Sequence, residues 1–263
     1  MDSPEELLLK RVGAHKLDYG REDSFKIFPG RLLASRFLIG IRTAGVPAHA
    51  FADIAAAIGI PERLKTLFLQ HLGEADVVLF GLEDGESGLI YKAYLEFWQK
   101  VRREVAATGS REPTLLNLGF KWSARDSATS IVSRYTCYPM LDLAGVLRRM
   151  RALYHTPADA PSCRFGQHLV QLAARSRTPT IYMEVGEEGT QRRSYDINVY
   201  KAGLTLAAVE PVLREAAAQY GLPGEQFDAF YSGLRPRLLG HLSGGMARDG
   251  SDFLTVYYET KPL

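Results

Sequence analysis

Cysteine is nearly absent: Cys137 and Cys163 are the only two in 263 residues. That is too few for a disulfide framework, and no CxxC pair suggests a metal. Long apolar runs are missing too. The longest, such as residues 51–60, fall far short of a bilayer-spanning helix, so no membrane insertion is expected. The opening Met1-Asp2-Ser3-Pro4-Glu5-Glu6 is acidic and has no secretory h-region, so a cytoplasmic location is expected. An excess of one charge is also lacking. With 32 Lys and Arg against 30 Asp and Glu, the net charge is +2, and neither nucleic acid nor an anionic membrane is an expected partner. No GxxxxGK[ST] loop, GxGxxG turn or GxSxG elbow occurs, which removes the usual support for triphosphate, dinucleotide and hydrolase chemistry. The six histidines are scattered, without metal-ligand spacing.

What is present is a repeated hairpin. Hydrophobic residues make up 46% of the chain, enough for one sizeable core, and residues 1–263 read as a single domain. Four strand pairs stand out: 77–82 with 89–97, 114–122 with 129–138, 180–185 with 195–201, and 237–242 with 253–259. The connections carry turn chemistry, at 83–88, 124–127, 186–189 and 248–251. A weaker hairpin is expected from 15–19 and 24–28. Helical periodicity fills the gaps at 51–58, 61–72, 141–154, 166–175, 205–220 and 223–231. The rhythm is helix, strand, strand, helix.

Alternation sends successive strand residues to opposite faces. Asp196, Asn198 and Tyr200 oppose Tyr195, Ile197 and Val199. Ser130, Arg134, Thr136 and Tyr138 share one face, as do Arg237, His241 and Ser243. Tyr182 and Glu184 oppose Ile181, Met183 and Val185, and Lys92, Tyr94 and Glu96 oppose Tyr91, Ala93 and Leu95. An open antiparallel sheet with one wet face accounts for alternation as such. It predicts mainly Lys, Glu, Thr and Ser on that face, whereas this one also holds tyrosines, Asn, His and Arg. Aromatic bodies with polar tips suit a ligand cavity, which points to a sheet closed into a barrel with helices outside. Arg134, Arg237 and Lys92, joined by Lys26 or Lys121, form a cationic set suited to a phosphate or diphosphate. Internal pairing with Glu96, Glu184 or Asp196 is the competing explanation. The Gly-rich stretch 240–245 lies at a strand end, where glycine serves backbone geometry before it serves a phosphate.

Three stretches resemble the ABBA-type (αββα) aromatic prenyltransferases of bacteria: residues 60–97, the strand Arg192 to Tyr200 with its Asn-x-Tyr element, and Arg237 at the start of the last hairpin. The resemblance implies an antiparallel barrel of repeated αββα units. It implies transfer of a prenyl group from a prenyl diphosphate to a small aromatic acceptor in the lumen of a monomer. Lys92, Arg134, Asn198, Tyr200 and Arg237 would hold the diphosphate. Tyr94, Tyr182, Tyr200 and Tyr257 would flank the allylic cation, and Glu184 or His241 would take the proton. No metal motif is visible, so no cofactor beyond the prenyl diphosphate co-substrate is expected, and a Mg²⁺ requirement has no support. The chain departs from the family in having Ser133 and Ser194 near positions where lysines are expected, and in lacking a final hairpin unit, whose place the N-terminal strands would take. Two other readings stay open: a non-prenylating barrel that binds a small metabolite, and a structural or assembly protein with a solvent-facing sheet.

Overall fold

The structure is a computed structural model that describes residues 2–85, 88–109, 111–126, 130–178 and 180–263. Met1, turn residues Glu86, Ser87 and Ser127, and Thr129 at the expected start of a strand lie outside the described residues.

Helix α1 (Pro4–Ala14) begins with a capping box. The Ser3 hydroxyl accepts from the Glu6 amide and the Glu6 carboxylate accepts from the Ser3 amide. Strands β1 (Gly20–Phe28) and β2 (Arg31–Arg42) follow, then helices α2 (Ala48–Ala57) and α3 (Glu62–Leu72). Hairpin β3 (Val77–Gly85) and β4 (Gly88–Glu96) leads to α4 (Trp98–Thr108). Strands β5 (Thr114–Ser123) and β6 (Ser130–Cys137) precede α5 (Leu143–Ala152) and α6 (Pro161–Arg175). Strands β7 (Ile181–Glu187) and β8 (Arg193–Asn198) precede α7 (Leu206–Gln219) and α8 (Gly224–Tyr231), and β9 (Leu239–Met246) and β10 (Asp252–Lys261) complete the set.

All ten strands form one closed antiparallel barrel in the order β1-β10-β9-β8-β7-β6-β5-β4-β3-β2. Closure joins the two ends of the chain, with Phe25 opposite Val256 and Ile27 opposite Leu254. A closed sheet has no unpaired edge and keeps its inner face from bulk water. This removes the open, solvent-facing sheet as a reading of the polar strand faces.

The core lies between barrel and helices. One cluster packs Phe25, Ile27, Tyr195, Ile197, Leu242, Leu254 and Val256 against α6 and α7, and another packs Phe37, Ile39, Val78, Phe80, Leu95 and Phe120 against α1, α2 and α3. Tyr195 shows how tight this layer is. Its hydroxyl donates to the Ser162 carbonyl at 2.6 Å, and it sits where a Cβ on Gly166 or Gly244 would stand 2.3 or 2.5 Å away.

The four expected hairpins are present with small shifts at their ends. The N-terminal pair differs. Residues 15–19 follow α1 without forming a strand, and β1 instead pairs with β2 through a turn at Gly30, whose φ is +72°. The alternation of β2 is hidden because its inward positions include Leu38 and Gly40 beside outward Phe37, Ile39 and Ile41. Helices α1 and α4 also escape the apolar periodicity, since α4 buries only Val101.

Gly166→Ala is expected to lower stability by about 1–3 kcal/mol through overpacking against Tyr195. Gly13→Ala, on an α1 position with open space around it, is expected to be neutral or slightly stabilising. Urea unfolding of both variants checks this, and equal effects contradict the assigned packing.

Candidate functional site

The lumen is layered by charge along its axis. One layer is built from cations on neighbouring strands. Arg36 on β2 pairs with Glu83 on β3 at 2.6 Å, and Lys92 on β4 and Lys121 on β5 reach the same carboxylate at 3.3 and 3.4 Å. Lys92 is 1% exposed. Burial pushes the Glu83 carboxyl up, but Arg36, Lys121 and Lys92 outweigh it and hold the group well below the usual carboxylate range. Lys26 on β1 lies in the same region without a salt bridge among the described residues, its ammonium 4.5 Å from the Phe253 ring centre. Burial, with Arg36 and Arg192 nearby, brings it down to about 7. Lys92 also falls to about 7, since burial, Arg36 and Lys121 together exceed the pull of Glu83. Arg192, just ahead of β8, pairs with Glu187, which also takes Arg248 at 2.7 Å. Buried donors stay unused here: Nε of Arg36 and of Arg192 and the hydroxyls of Ser24, Ser133 and Ser194 have no hydrogen-bond partner. A chamber of about 310 Å³ borders this layer, lined by Lys26, Arg36, Lys121 and Arg192 with Trp122 and Phe253.

Next along the axis come tyrosines. Tyr94 and Tyr135 meet edge to face at 5.9 Å, and Tyr257 stacks on His241 at 3.9 Å. Gly119 makes the room: a Cβ there would stand 2.7 Å from the Tyr94 ring.

Beyond them lies a cavity of about 570 Å³. Glu22, Glu96, Asp196 and Glu259 line it together with Arg21, Arg42, Lys201 and Lys261 and with Tyr94, Tyr135 and Tyr257. His241 lies between two of the carboxylates, with Nδ1 3.0 Å from Asp196 and Nε2 3.3 Å from Glu22. Burial disfavours its charge, yet Asp196 and Glu22 reverse that and raise it to about 10, so the ring is an imidazolium at neutral pH. Tyr200 donates to Glu22. The Glu96 side chain makes no hydrogen bond or ion pair among the described residues. Burial and the charge of Glu22 push it up to about 7.

Of the residues expected at the site, Lys92, Tyr94, Asn198, Tyr200, His241 and Tyr257 face the lumen or its mouth. Asn198 and Tyr200 line this cavity, away from Arg36, Lys92 and Lys121, and the Asn198 side-chain oxygen accepts from the Tyr200 amide at 3.2 Å. His241 already holds its proton between two carboxylates and so cannot take another.

Four expectations are corrected. Glu184 and Tyr182 are on the outer face of β7, because Met183, Val185 and Glu187 occupy the inner one. Glu184 accepts both arms of Arg149 from α5, at 2.7 and 3.0 Å, and Tyr182 donates to it at 3.2 Å beneath the helices. Arg134 is on the outer face of β6, 54% exposed and 3.3 Å from Glu188, since Ser133 and Tyr135 take the inner positions. Arg237 is exposed in the turn ahead of β9. A bulge sets Leu239 opposite Tyr258 but His241 opposite Tyr257, so alternation counted back from His241 fails. The polar face was equated with the lumen, whereas on β6 and β7 the polar set points outward.

Arg36, Glu83, Glu22, Tyr135 and Glu187 were missed as site residues. Arg36 sits in the unrecognised β2, Glu83 and Glu187 were read as turn, and Glu22 fell in the gap of the weak hairpin. The spacing Arg36, Leu38, Gly40, Arg42 was the available signal.

Among the described residues no group of three or more His, Cys, Asp or Glu side chains is arranged to hold a metal ion. Among the described residues no helix is long and apolar enough to cross a membrane. No protein-family model matches the sequence, and no curated protein matches it. Solved structures share the fold. AnaPT from Neosartorya fischeri superposes with a TM-score of 0.58 at 10% identity, over 92% of this chain and 78% of that one. PriB, solved as a binary complex with product diphosphate, gives 0.57 at 15% over 91% and 79%. The 5-dimethylallyltryptophan synthase from Streptomyces coelicolor gives 0.55 at 13% over 90% and 80%. NotF, at 12% identity and a TM-score of 0.52, was solved with brevianamide F and DMSPP. At these identities the likeness establishes the fold, the ABBA-type prenyltransferase barrel.

His241→Gln leaves Glu22 and Asp196 without their cation and is expected to cost about 3–5 kcal/mol at pH 7. The folded-state value of His241 is raised, so its stabilisation is full below the unfolded value near 6.5 and disappears as pH rises through about 10. The gap between wild type and variant in urea unfolding should therefore shrink from pH 7 to pH 10; a constant gap contradicts the imidazolium.

Proposed function

We propose that the protein transfers a prenyl group from a prenyl diphosphate to a small aromatic acceptor inside the lumen. The observation that carries this is the shared carboxylate. Among the described residues Arg36, Lys92 and Lys121 converge on Glu83 alone, and Lys26 adds a fourth basic group with no salt bridge. A buried surplus of cations is costly unless an anion compensates it. A diphosphate supplies that anion, and the unused Nε–H groups of Arg36 and Arg192 supply donors for its oxygens.

In this reading the donor lies with its diphosphate among the cations and its prenyl chain toward the tyrosines. The C1–O bond breaks and the diphosphate leaves with the electron pair, stabilised by fixed positive charge. The allylic cation forms beside Tyr94, Tyr135 and Tyr257, whose rings attract it and exclude water. The acceptor ring in the cavity of about 570 Å³ attacks C1. The proton released as the ring regains aromaticity goes to the departing diphosphate, since His241 is already protonated. Arg134, Arg237, Tyr182 and Glu184 have no part in it. The fold shared with PriB, solved with product diphosphate, and with NotF, solved with brevianamide F and DMSPP, supports the same substrate classes.

Arg36→Gln and Lys121→Gln are each expected to weaken binding of a prenyl thiolodiphosphate about 10- to 100-fold in calorimetry, the worth of a charge-assisted hydrogen bond. Arg134→Gln and Arg237→Gln should change it less than about twofold. Wild-type protein that neither binds this analogue nor yields a singly prenylated indole from dimethylallyl diphosphate refutes the reading. If the analogue binds and no acceptor is prenylated, the non-prenylating barrel takes its place.

Lys26 and Lys92 sit at about 7 without ligand, charged below that pH and neutral above it. Diphosphate binding must then draw protons onto them. Affinity is expected to fall by about tenfold or more from pH 7.5 to 9, where the diphosphate's own charge is constant. Lys92→Met should flatten the slope.

A further inference from the structure

Among the described residues, the chamber of about 310 Å³ and the cavity of about 570 Å³ share no lining residue. The chamber lies at the end of the barrel where the hairpins turn, and it reaches the surface there. Asp84 near the end of β3, and Arg248 and Asp249 in the β9–β10 turn, line it and are exposed. Its wall is amphiphilic. Leu33 stands opposite Lys26, Ile90 opposite Glu83 and Ile131 opposite Lys121, and Phe28 and Phe253 lie nearer the turns. Lys26, Arg36, Lys121, Arg192 and Arg248 line it against Glu83, Asp84 and Asp249, five basic groups to three acidic. The Asp249 carboxylate is engaged within its own turn, where it accepts from the Ser251 amide at 2.9 Å and the Ser251 hydroxyl at 2.6 Å. Arg248 is the most exposed of the five cations, at 47%. Glu187, to which it donates, is fully buried and keeps Arg192 when Arg248 turns away.

We infer that the prenyl diphosphate enters, and the product diphosphate leaves, at the hairpin-turn end of the barrel past Arg248, so that the mouth at the opposite end serves the acceptor. The inference rests on the transfer reading for the identity of the donor. That donor is an amphiphile, and it has to lie with its diphosphate among the cations and its chain toward the tyrosines. From the turn end it goes in tail first. The chain passes Phe28, Phe253, Ile90 and Ile131, whose apolar surface replaces the water around it. The diphosphate follows and stops at Lys26, Arg36 and Lys121, without turning round inside the lumen. From the opposite end the diphosphate would have to lead. Beyond the rim cations Arg21, Arg42, Lys201 and Lys261 it would meet Glu22 and Asp196, whose charge His241 only half offsets, and would then have to slip between tyrosine rings. After transfer the diphosphate is on the side of the lumen nearer Arg248 and leaves without passing the prenylated product.

Plugging each end in turn tests this. Asp84 is exposed at the turn end and Lys201 at the opposite mouth. Both native cysteines are buried, so a bulky maleimide labels Asp84→Cys and Lys201→Cys selectively. Stopped-flow association of the prenyl thiolodiphosphate is compared with and without the label in each variant. The label at 84 is expected to slow association at least about tenfold, and the label at 201 by less than about twofold. Arg248→Gln should slow association about three- to tenfold at low salt, and the effect should fade near 1 M salt, as a loss of electrostatic steering does. The reverse pattern of label effects, equal effects of the two labels, or an unchanged rate in Arg248→Gln overturns the inference. If the thiolodiphosphate fails to bind unlabelled protein, the transfer reading falls, and inorganic diphosphate takes its place in the same two-label comparison. The entry route then stands if the label at 84 alone slows that ion, and falls if the ion does not bind or enters both labelled proteins equally.

Discussion

Three cations on one buried carboxylate set the terms for the rest of the lumen. Glu83 is reached by Arg36 from β2, Lys92 from β4 and Lys121 from β5. No single pair here is satisfied in the way an isolated salt bridge would be. One negative charge is spread over three positive ones, so each pays part of its desolvation without full return. The consequences are visible in the neighbours: two lysines lose most of their basicity at neutral pH, and two guanidinium Nε–H groups stay unused. Such a layer is poorly compensated as a piece of core. It is well arranged as a receptor for a polyvalent anion, which would restore charge to the lysines and take up the free donors together.

Four carboxylates gather at the other level of the barrel, beside Arg21, Arg42, Lys201 and Lys261, and the tyrosines lie between. Glu22, Glu96, Asp196 and Glu259 would repel one another more if His241 did not stand between two of them as a cation. His241 in turn lies flat against Tyr257, and burial with the Glu83 and Asp196 charges nearby keeps the Tyr257 phenol protonated. The tyrosine layer is thus coupled to both charged layers. A small cation forming there would have negative charge on one side, a departing anion on the other, and ring faces around it. The barrel provides this because closure forces every second residue of ten strands toward one axis.

Most of the barrel was legible in the sequence, because hairpins announce themselves through turn residues and alternation. The four clear hairpins are strands β3 to β10. What was not legible is which face of each strand points inward. On β7 and β6 the helix-side face is as polar as the lumen: Arg149 from α5 supplies Glu184 with a partner, and Arg134 lies in the open against Glu188. Near Arg237 a bulge breaks the parity that the count relied on. Lys92 and Tyr94 were found because β4 alternates cleanly, and His241 because it lies past the bulge that misplaces Arg237. Arg36 was not, since β2 carries apolar residues on both faces. Glu83 was not, since acidic residues beside glycine read as turn when they in fact continue the strand.

The departures at Ser133 and Ser194 now have a physical setting. Both are fully buried, face the lumen, and leave their hydroxyls unpaired. Lysines at these two places would have brought positive charge next to Glu187 and Asp196. The chain instead draws its cations from Lys121 on the neighbouring β5 and from Arg192 just ahead of β8, on the side where Glu83 and Glu187 lie. Moving charge by one strand or one hairpin end keeps a cationic layer while keeping lysine off the two inward positions beside Glu187 and Asp196. Asp196 and Glu22 can then act on His241, and Glu96 stays unmatched. The same exchange that weakens the sequence resemblance to prenyltransferases therefore leaves Asp196 and Glu22 to hold His241, and an imidazolium between two carboxylates distinguishes the lumen from a uniformly basic one.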